Sequence, residues 1–322
     1  MMLDSLLSFI GQGIQMGLVL LIAPAAAGLT RLVKARLMRR RGPPLIQGYR
    51  DLVKLVRKEA VMAESASWLF RVAPYLIFAL TWVAAALVPT FATGLLFSST
   101  GDVIVIIALL GSARFMLALA GMDVGTSFGG IGSSREMMIA TLAEPAMLLV
   151  VLNMALAAGT TRLPAVADFF VTQPLAIRVS LALALLSLVI VALAENARIP
   201  IDNPATHLEL TMVHEAMVLE YSGRHLAMIE AASQLKLVLY ASLIVSLFLP
   251  FGIVRVEAGP LAWLGGGALY LGKIAGAAIL LGIWEVSIAK MRVFRVSEFL
   301  GGAFIFAFLA ILLSFLTQEV LQ

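Results

Sequence analysis

The sequence predicts an all-α integral membrane protein with about eight transmembrane helices and one cytoplasmic amphipathic helix. Three observations predict this class: 61% of the 322 residues are hydrophobic, only 13% are charged, and the mean hydropathy is +1.01. Soluble domains carry roughly 25% charged residues, so this composition could not build a water-facing surface. We expect residues 1–322 to form a single transmembrane domain.

Apolar runs of about 20 residues recur along the chain, and each is long enough to cross a hydrocarbon core of ~30 Å as a helix. The fifth run is the shortest, and the seventh is long enough to tilt. No internal repeat is evident, which weighs against the inverted-repeat transporters. The predicted spans are roughly residues 6–29, 69–92, 102–121, 137–158, 176–194, 236–254, 263–288 and 297–317.

The lysines and arginines predict the orientation of these spans. Connectors on one side of the predicted bundle carry eighteen cations, and those on the other side carry only Arg162, Arg178 and Arg255. Basic connectors stay in the cytoplasm, so the eighteen cations mark the cytoplasmic side. With eight spans, both termini then face outward. The calculated pI near 9.6 therefore reflects topology, and we expect no nucleic-acid partner.

Two cytoplasmic segments, residues 31–68 and 195–235, are predicted to be docking and coupling segments. Within the first, residues 44–61 would place apolar side chains on one face of a helix and polar side chains on the other. This pattern predicts an amphipathic helix at the membrane interface. A basic patch that meets anionic lipid is the other interpretation of this segment.

The second segment, residues 195–235, is too long and too acidic to be a simple connector. Glu195 and Arg198 are three residues apart, so they could pair on one helical turn. Glu209, Glu215 and Glu220 have fewer nearby cations, and clustered carboxylates suit a coupling element. A solvated acidic loop is the alternative.

Several ionisable residues fall inside predicted spans. Arg114 lies in the third span, Lys273 in the seventh, Glu144 beside Pro145 in the fourth, and Glu285 near the cytoplasmic end of the seventh. A central charge costs about 3 kcal/mol, so these residues should face protein or water and pair with one another. An ion pair that fixes helix register and a hydrated proton path both remain open. For Glu144 we favour the proton path.

The chain contains no cysteine, which excludes thiolate-held iron–sulfur clusters, cysteine zinc sites and disulfides within it. His207 and His214 are seven residues apart and could share a helix face, so a metal site is conceivable. A solvated loop that contains two histidines is the alternative.

Four motifs, in order, resemble the family of the membrane-embedded H subunit of respiratory complex I. They are Arg40-Arg41-Gly42-Pro43-Pro44 with Gln47 to Asp51 and Lys54, Ile131 to Arg135-Glu136, Ala194 to Asp202, and Glu220-Tyr221. Within that family the motifs are more similar to the membrane subunit of energy-converting group 4 [NiFe] hydrogenases, which include formate hydrogenlyase subunit 4 and hydrogenase-4 component C. The segment from Asn203 to Leu210 departs from the acidic run that these hydrogenase subunits usually carry after the aspartate. Of its acidic residues only Glu209 is present here, and His207 stands where an acid is usual.

The resemblance implies a non-catalytic anchor and coupling subunit in a bacterial cytoplasmic membrane. It implies that soluble large and small hydrogenase-like subunits hold Ni–Fe and Fe–S centres, that no cofactor binds this chain, and that antiporter-like subunits adjoin it in the bilayer. The implied proton-coupling residues are Arg114, Glu144, Glu195, Arg198, Asp202, Glu209, Glu215, Glu220, Lys273 and Glu285. The implied docking residues are Arg40, Arg41, Gly42, Pro43, Asp51, Lys54, Arg135, Glu136 and Tyr221.

Two other functions remain open. One is the quinone-cavity subunit of a complex I-type NADH:quinone oxidoreductase, in which the same loops line the cavity. The other is a stand-alone ion transporter, against which the amphipathic helix and the long acidic segment argue.

Overall fold

The structure is a computed structural model that describes residues 2–172, 179–198, 212–289 and 295–320, with side chains from residue 6 to residue 316. In the described chain, helices are joined by short connectors. The helices are α1 (Met2–Leu37), α2 (Gln47–Arg57), α3 (Trp68–Leu87), α4 (Val103–Asp123), α5 (Ser127–Ala158), α6 (Leu163–Thr172), α7 (Val179–Glu195), α8 (His214–Val218), α9 (Gly223–Phe248), α10 (Gly259–Ser287) and α11 (Val296–Val320).

In the part of the chain that the structure describes, seven helices are long and apolar enough to cross a membrane: α1, α3, α4, α5, α9, α10 and α11. They coincide with seven of the predicted spans. The fifth predicted span corresponds to α7, an apolar helix of 17 residues. The all-α membrane fold is therefore confirmed.

Two helices begin well before their predicted spans. α5 begins at Ser127, where the side chain of Thr126 accepts a hydrogen bond from the Gly129 N–H and so satisfies one free donor of the first turn. α9 begins at Gly223. Both first turns are rich in polar residues and glycine, which hydropathy discounts. As a result, polar residues that the sequence placed in loops lie on helices.

The helices form one packed bundle. α5 packs on α4, α7 and α11, α3 packs on α4 and α9, and α1 packs on α9 and α10. Buried alanines such as Ala84, Ala143 and Ala146 line the contacts, because small side chains let membrane helices approach closely. Two short strands, β1 (Ala92–Thr93) and β2 (Val254–Arg255), pair in parallel and join the connectors that follow α3 and α9.

The predicted amphipathic helix is α2, which packs against α1 and α9. Gly48 is buried where a Cβ would lie 3.0 Å from the Pro24 carbonyl oxygen, so a larger residue would require the two helices to move slightly apart. The Tyr49 hydroxyl donates to the Leu21 carbonyl, and burial raises the pKa of Tyr49. Val53 and Val56 remain exposed, as expected of a helix that contacts lipid.

Candidate functional site

Arg114 of α4 is the centre of a buried charge cluster. Its Nη1 donates to Glu144 Oε1 at 3.0 Å, and its Nη2 donates to Glu195 Oε1. Its Nε lies 3.6 Å from Glu136 Oε1. Glu136 and Glu144 come from α5 and Glu195 from the end of α7. The planar guanidinium, whose five N–H donors point in fixed directions, thus faces three carboxylates from two helices.

A second cation completes this cluster. Lys236 of α9 places its Nζ 3.3 Å from Glu195 Oε2, so Glu195 lies between two cations. We call Arg114, Glu136, Glu144, Glu195 and Lys236 the Arg114 cluster. Three carboxylates face two cations, and one bound proton would make the five groups neutral.

A small cavity of about 40 Å³ adjoins the cluster, with Arg114, Glu136, Glu195, Lys236 and His214 among its lining residues. That volume is enough for a water molecule, and the polar walls could hydrogen-bond to it. The distance of 3.6 Å between Arg114 Nε and Glu136 Oε1 is too long for a direct hydrogen bond but is that of a close ion pair.

His214, on the short helix α8, is a further titratable group at this cavity. Burial, and then the charge of Lys236, lower the pKa of His214 to about 4. The imidazole is therefore neutral near pH 7. His207, the other member of the conceivable metal pair, lies outside the described residues, so that prediction stays a prediction.

The cluster reaches from the interior to the side of the bundle. The side chain of Glu195 is 2% exposed, that of Arg114 4%, that of Glu136 10% and that of Glu144 40%. Glu144 opens into a recess between α3, α4 and α5. A Cβ at Gly111 would lie 3.3 Å from Glu144 Oε1, so the glycine makes room for the carboxylate. The charged network therefore ends at the surface that faces lipid or a neighbouring subunit.

The turn at the end of α7 sends its two charged residues to different partners. Ala197 has a left-handed backbone with φ of 48°. The Arg198 N–H donates to the Leu193 carbonyl at 3.0 Å, and the Ala197 N–H donates to the Ala194 carbonyl at 3.0 Å, as in a Schellman turn. The prediction that Glu195 and Arg198 pair with each other is wrong, because this turn separates them.

Arg198 belongs instead to a second charge group. Its Nη1 donates to Glu285 Oε1 at 3.2 Å, and Lys34 Nζ donates to Glu285 Oε2 at 3.1 Å. Lys34 comes from the last turn of α1 and Glu285 from the last turn of α10. We call these three residues the Glu285 triad. Its net charge is +1, opposite in sign to that of the Arg114 cluster.

Lys273, a predicted coupling residue, contacts neither group among the described residues. Its Nζ donates to the carbonyls of Leu249 (2.6 Å) and Phe251 and lies 3.9 Å from the Phe251 ring centroid. These carbonyls follow the end of α9 at Phe248. The cation therefore caps a helix end, where carbonyls lack intrahelical donors.

Three residues predicted to dock partners have their contacts inside this chain. Glu136 is buried in the Arg114 cluster. Tyr221 is buried, stacks on Phe70 with ring centroids 3.8 Å apart, and donates to the Phe70 carbonyl at 3.0 Å. Arg135 Nη1 donates to the Met212 carbonyl at 2.8 Å, which ties α5 to the segment before α8. The sequence misplaced Glu136 because α5 begins earlier than its apolar run.

The other predicted site residues lie at exposed or partly exposed positions or outside the described ranges. Arg40, Arg41, Lys54 and Glu220 are exposed, and Gly42, Pro43, Asp51 and Glu215 are partly exposed. Asp51 accepts a hydrogen bond from Gln47 Nε2 at 2.8 Å. Asp202 and Glu209 lie outside the described residues.

Sequence reasoning missed two members of the central site. Lys236 was counted only among the cations that predict orientation, and His214 only as a conceivable metal ligand or a loop residue. A signal for Glu136 was available, because it precedes Glu144 by eight residues and so lies two turns away on the same broad side of α5. The contacts of Lys236 and His214 depend on how α8 and α9 pack, which local spacing does not reveal.

Comparison with known proteins places this arrangement in a family. The family model described as NADH dehydrogenase matches residues 12–316. Formate hydrogenlyase subunit 4 of Escherichia coli (strain K12) is 32% identical over 90% of this chain and 93% of that protein. Hydrogenase-4 component C of the same organism is 37% identical over 73% of each chain.

More distant relatives include the NADH-quinone oxidoreductase H subunit of Rickettsia prowazekii (strain Madrid E), which is 27% identical over 69% of this chain and 68% of that protein. A chain of the membrane-bound sulfane sulfur reductase, an archaeal respiratory membrane complex, shares the fold. It superposes with a TM-score of 0.81 at 20% identity and covers 94% of this chain and 99% of that chain. All of these relatives are parts of larger assemblies.

The resemblance seen in the four sequence motifs is therefore confirmed over nearly the whole chain: this integral membrane protein belongs to the NADH dehydrogenase family, to which the H subunit of complex I and the membrane subunits of hydrogenase-4 and formate hydrogenlyase are related.

Proposed function

We propose that this chain is the membrane-anchor and proton-coupling subunit of a complex I-like energy-converting hydrogenase. In that role it docks a soluble redox arm on its cytoplasmic surface and passes charge changes through the bundle to antiporter-like membrane subunits. The relatives at 32% and 37% identity, both named as hydrogenase or formate hydrogenlyase components, support this branch of the family.

The observation that carries the proposal is the Arg114 cluster. Charged groups are expensive below the headgroups. Here five of them form one cluster, and all but Glu144 line a cavity large enough for a water molecule. A cluster with one more carboxylate than cations becomes neutral when it takes up a single proton. Loss of that proton would return the negative charge, so the cluster responds to any charge that changes nearby.

The exposure of Glu144 indicates where a proton or a change of charge would leave the cluster. A carboxylate that is 40% exposed on the side of a membrane bundle needs water or a polar partner, because lipid offers neither. A neighbouring membrane subunit that covers the recess beside Glu144 would receive the proton or sense the charge. Glu195, at the buried end of the cluster, adjoins the cytoplasmic segment through Asn196 and His214.

The redox centres belong, in this proposal, to the soluble subunits. The chain has no cysteine, and Ni–Fe and Fe–S centres are held by thiolates, so its residues do not fit such groups. The exposed cations Arg40, Arg41 and Lys54 would contact the soluble arm from the cytoplasmic side of a bacterial inner membrane, with both termini on the opposite side.

Proton translocation per redox turnover tests the proposal in membrane vesicles that contain the intact complex. Glu144→Gln and Glu195→Gln are each expected to lower the protons moved per turnover by half or more while redox turnover continues. Glu298→Gln is the matched control, because Glu298 is an exposed carboxylate at the start of α11. Glu195→Asp, which keeps the charge, covers the case in which Glu195→Gln does not assemble. Unchanged coupling in both glutamine variants would remove the cluster from the proton path.

A quinone-cavity function is the second candidate. One observation favours it: an apolar cavity of 170 Å³ lies between α1, α2, α3 and α9, lined by Pro24, Val56, Phe78 and Gln234 among others. The Gln234 Oε1 atom is buried without a hydrogen-bond partner among the described residues. Quinone that co-purifies with the complex, and is lost in Ala231→Phe, would favour this function. The absence of bound quinone would favour the hydrogenase branch.

A further inference from the structure

A second apolar cavity, larger than the one beneath α2, lies between α1, α7, α9 and α10. It has a volume of about 260 Å³. Its walls are mostly aliphatic, with Ala192, Ala241 and Ala277 among the small residues that create the space. Neither the Arg114 cluster nor the proposed docking surface uses this cavity.

The cavity extends along the cytoplasmic half of α10. Its lining runs from Ile274 to Trp284, ten residues that rise about 15 Å along a helix. That length is half of the ~30 Å hydrocarbon core, which is the depth of one leaflet. Leu280 lines the cavity and is 69% exposed. The cavity is therefore open toward the membrane on this side.

The cytoplasmic end of the cavity is cationic. Arg198 and Trp284 line this end, and the Glu285 triad, with Lys34 as its other cation, adjoins it. Among the described residues, Glu285 is the hydrogen-bond partner of Arg198 and takes one N–H of the five that a guanidinium offers. Positive charge therefore lies at the depth where a headgroup would be.

We propose that this cavity is a binding site for one anionic glycerophospholipid of the cytoplasmic leaflet, with an acyl chain between α7, α9 and α10 and its phosphate at Arg198 and Lys34. The acyl chain matches the aliphatic lining and its one-leaflet length. The phosphate matches the net charge of +1 on the Glu285 triad, since Arg binds phosphate through paired N–H donors.

The site also adjoins the Arg114 cluster. Asn196 lines both this cavity and the small polar cavity, and Tyr240 of α9 lines the lipid cavity one turn from Lys236. A bound phosphate would accept hydrogen bonds from the N–H groups of Arg198 that Glu285 leaves free, and Arg198 lies three residues from Glu195 on the same turn. The lipid therefore stabilises the position of the α7 turn that presents Glu195 to Arg114.

The proposal is tested by the phospholipid retained by the intact complex after detergent purification, measured by native mass spectrometry and lipid extraction. Ala277→Phe fills the cavity and is expected to release one anionic phospholipid per complex. Ala268→Phe, an exposed alanine on the same helix outside the cavity, is the matched control and should keep it. Ala277→Leu is the milder variant if Ala277→Phe does not assemble.

The variant Arg198→Gln tests the contribution of the headgroup separately from that of the acyl chain. We expect the retained phospholipid to lose its preference for anionic over zwitterionic headgroups by tenfold or more when the complex is exchanged into vesicles of mixed phosphatidylglycerol and phosphatidylcholine. Retention that is equal for both headgroups in the unaltered complex would overturn the proposal.

Fluorescence quenching tests the site without filling the cavity, because Trp284 in its wall can report on a nearby lipid. Brominated phosphatidylglycerol should quench the part of the tryptophan emission that Trp284→Phe removes, more strongly than brominated phosphatidylcholine does. If a helix of a partner subunit covers the groove instead, Ala277→Phe will release that subunit rather than lipid, and neither lipid will quench Trp284. That result would also overturn the proposal.

Discussion

The Arg114 cluster and the Glu285 triad are two ion-pair groups that share α7 and differ in almost every other respect. The first is buried, contains three carboxylates and two cations, and reaches the side of the bundle. The second has one buried carboxylate between two partly exposed cations. The first has surplus negative charge that is mostly buried, and the second has surplus positive charge at the ends of α1 and α10.

That difference shows how burial changes what an ion pair does. A partly exposed pair contributes about 0–1 kcal/mol, since water solvates each partner when they separate. A buried pair that loses one partner leaves a charge that nothing solvates. We therefore expect the Arg114 cluster to govern assembly and coupling, and the Glu285 triad to adjust the helix ends.

The largest effect is expected from Arg114→Ala, which leaves three carboxylates facing Lys236 alone. Loss of one partner of a buried pair costs about 3–5 kcal/mol, so the yield of assembled complex should fall severely. Arg114→Lys restores the charge but not the planar fork, and should recover assembly only in part. For both variants, size-exclusion chromatography of the detergent-extracted complex measures assembly and thermal denaturation measures stability. Normal assembly of Arg114→Ala would show that the cluster is not structural.

A local effect is expected at His214 as the pH falls. Its pKa is lowered from 6.5 to about 4 by burial and then by Lys236, so the folded form binds its proton less readily than the unfolded form. Stability from this residue is complete above pH 6.5 and is lost as the pH falls toward 4. Relative to the intrinsic exchange rate, which itself slows as the pH falls, hydrogen exchange of residues 212–218 should therefore accelerate between pH 7 and pH 5.

His214→Gln should remove most of that acceleration, whereas His225→Gln, on α9, should leave it in place. A ratio of observed to intrinsic exchange that stays unchanged between pH 7 and pH 5 in the unaltered complex would contradict the burial of the imidazole beside Lys236.

A smaller effect is expected from Glu285→Gln, which removes the carboxylate of the Glu285 triad and leaves the Arg114 cluster unchanged. Lys34 and Arg198 are 27% and 22% exposed, so water can solvate both after the carboxylate is removed. We expect the free energy of unfolding to fall by about 1 kcal/mol, with assembly intact. A loss as large as that of Arg114→Ala would mean that the two groups do not differ as described.

The smallest effect is expected from Ala197→Gly, at the turn that separates the two groups. Glycine relieves about 1–2 kcal/mol of left-handed strain but adds freedom to the unfolded chain. A net gain of about 0.5 kcal/mol should appear as a slightly higher thermal midpoint. Ala182→Gly, at an exposed position inside α7, should lower stability by about 1 kcal/mol. A lower midpoint for Ala197→Gly would contradict the left-handed turn.

Much of the fold could be predicted from the sequence, because membrane helices are set by local hydropathy and length. The positions of α1, α3, α4 and α10 follow directly from their apolar runs, and α2 follows from its helical periodicity. The early starts of α5 and α9 could not be predicted this way, since their first turns contain polar residues stabilised by capping and by tertiary packing.

The candidate site was predicted only in part for the same reason. Arg114 and Glu144 stood out because a charge inside an apolar run is costly. Lys236 and His214 did not, because each lies in a polar stretch where a charge needs no explanation.

The sequence by itself determined the membrane class, the order of the spans, the family and the most conspicuous buried charges, since each depends on composition or on residues close together in the chain. Only the tertiary structure decided the pairing: Glu195 with Arg114 and Lys236, Arg198 with Glu285, and Lys273 with the end of α9. Pairing depends on distances between helices that are far apart in sequence, and on one left-handed turn at Ala197 that no spacing rule contains.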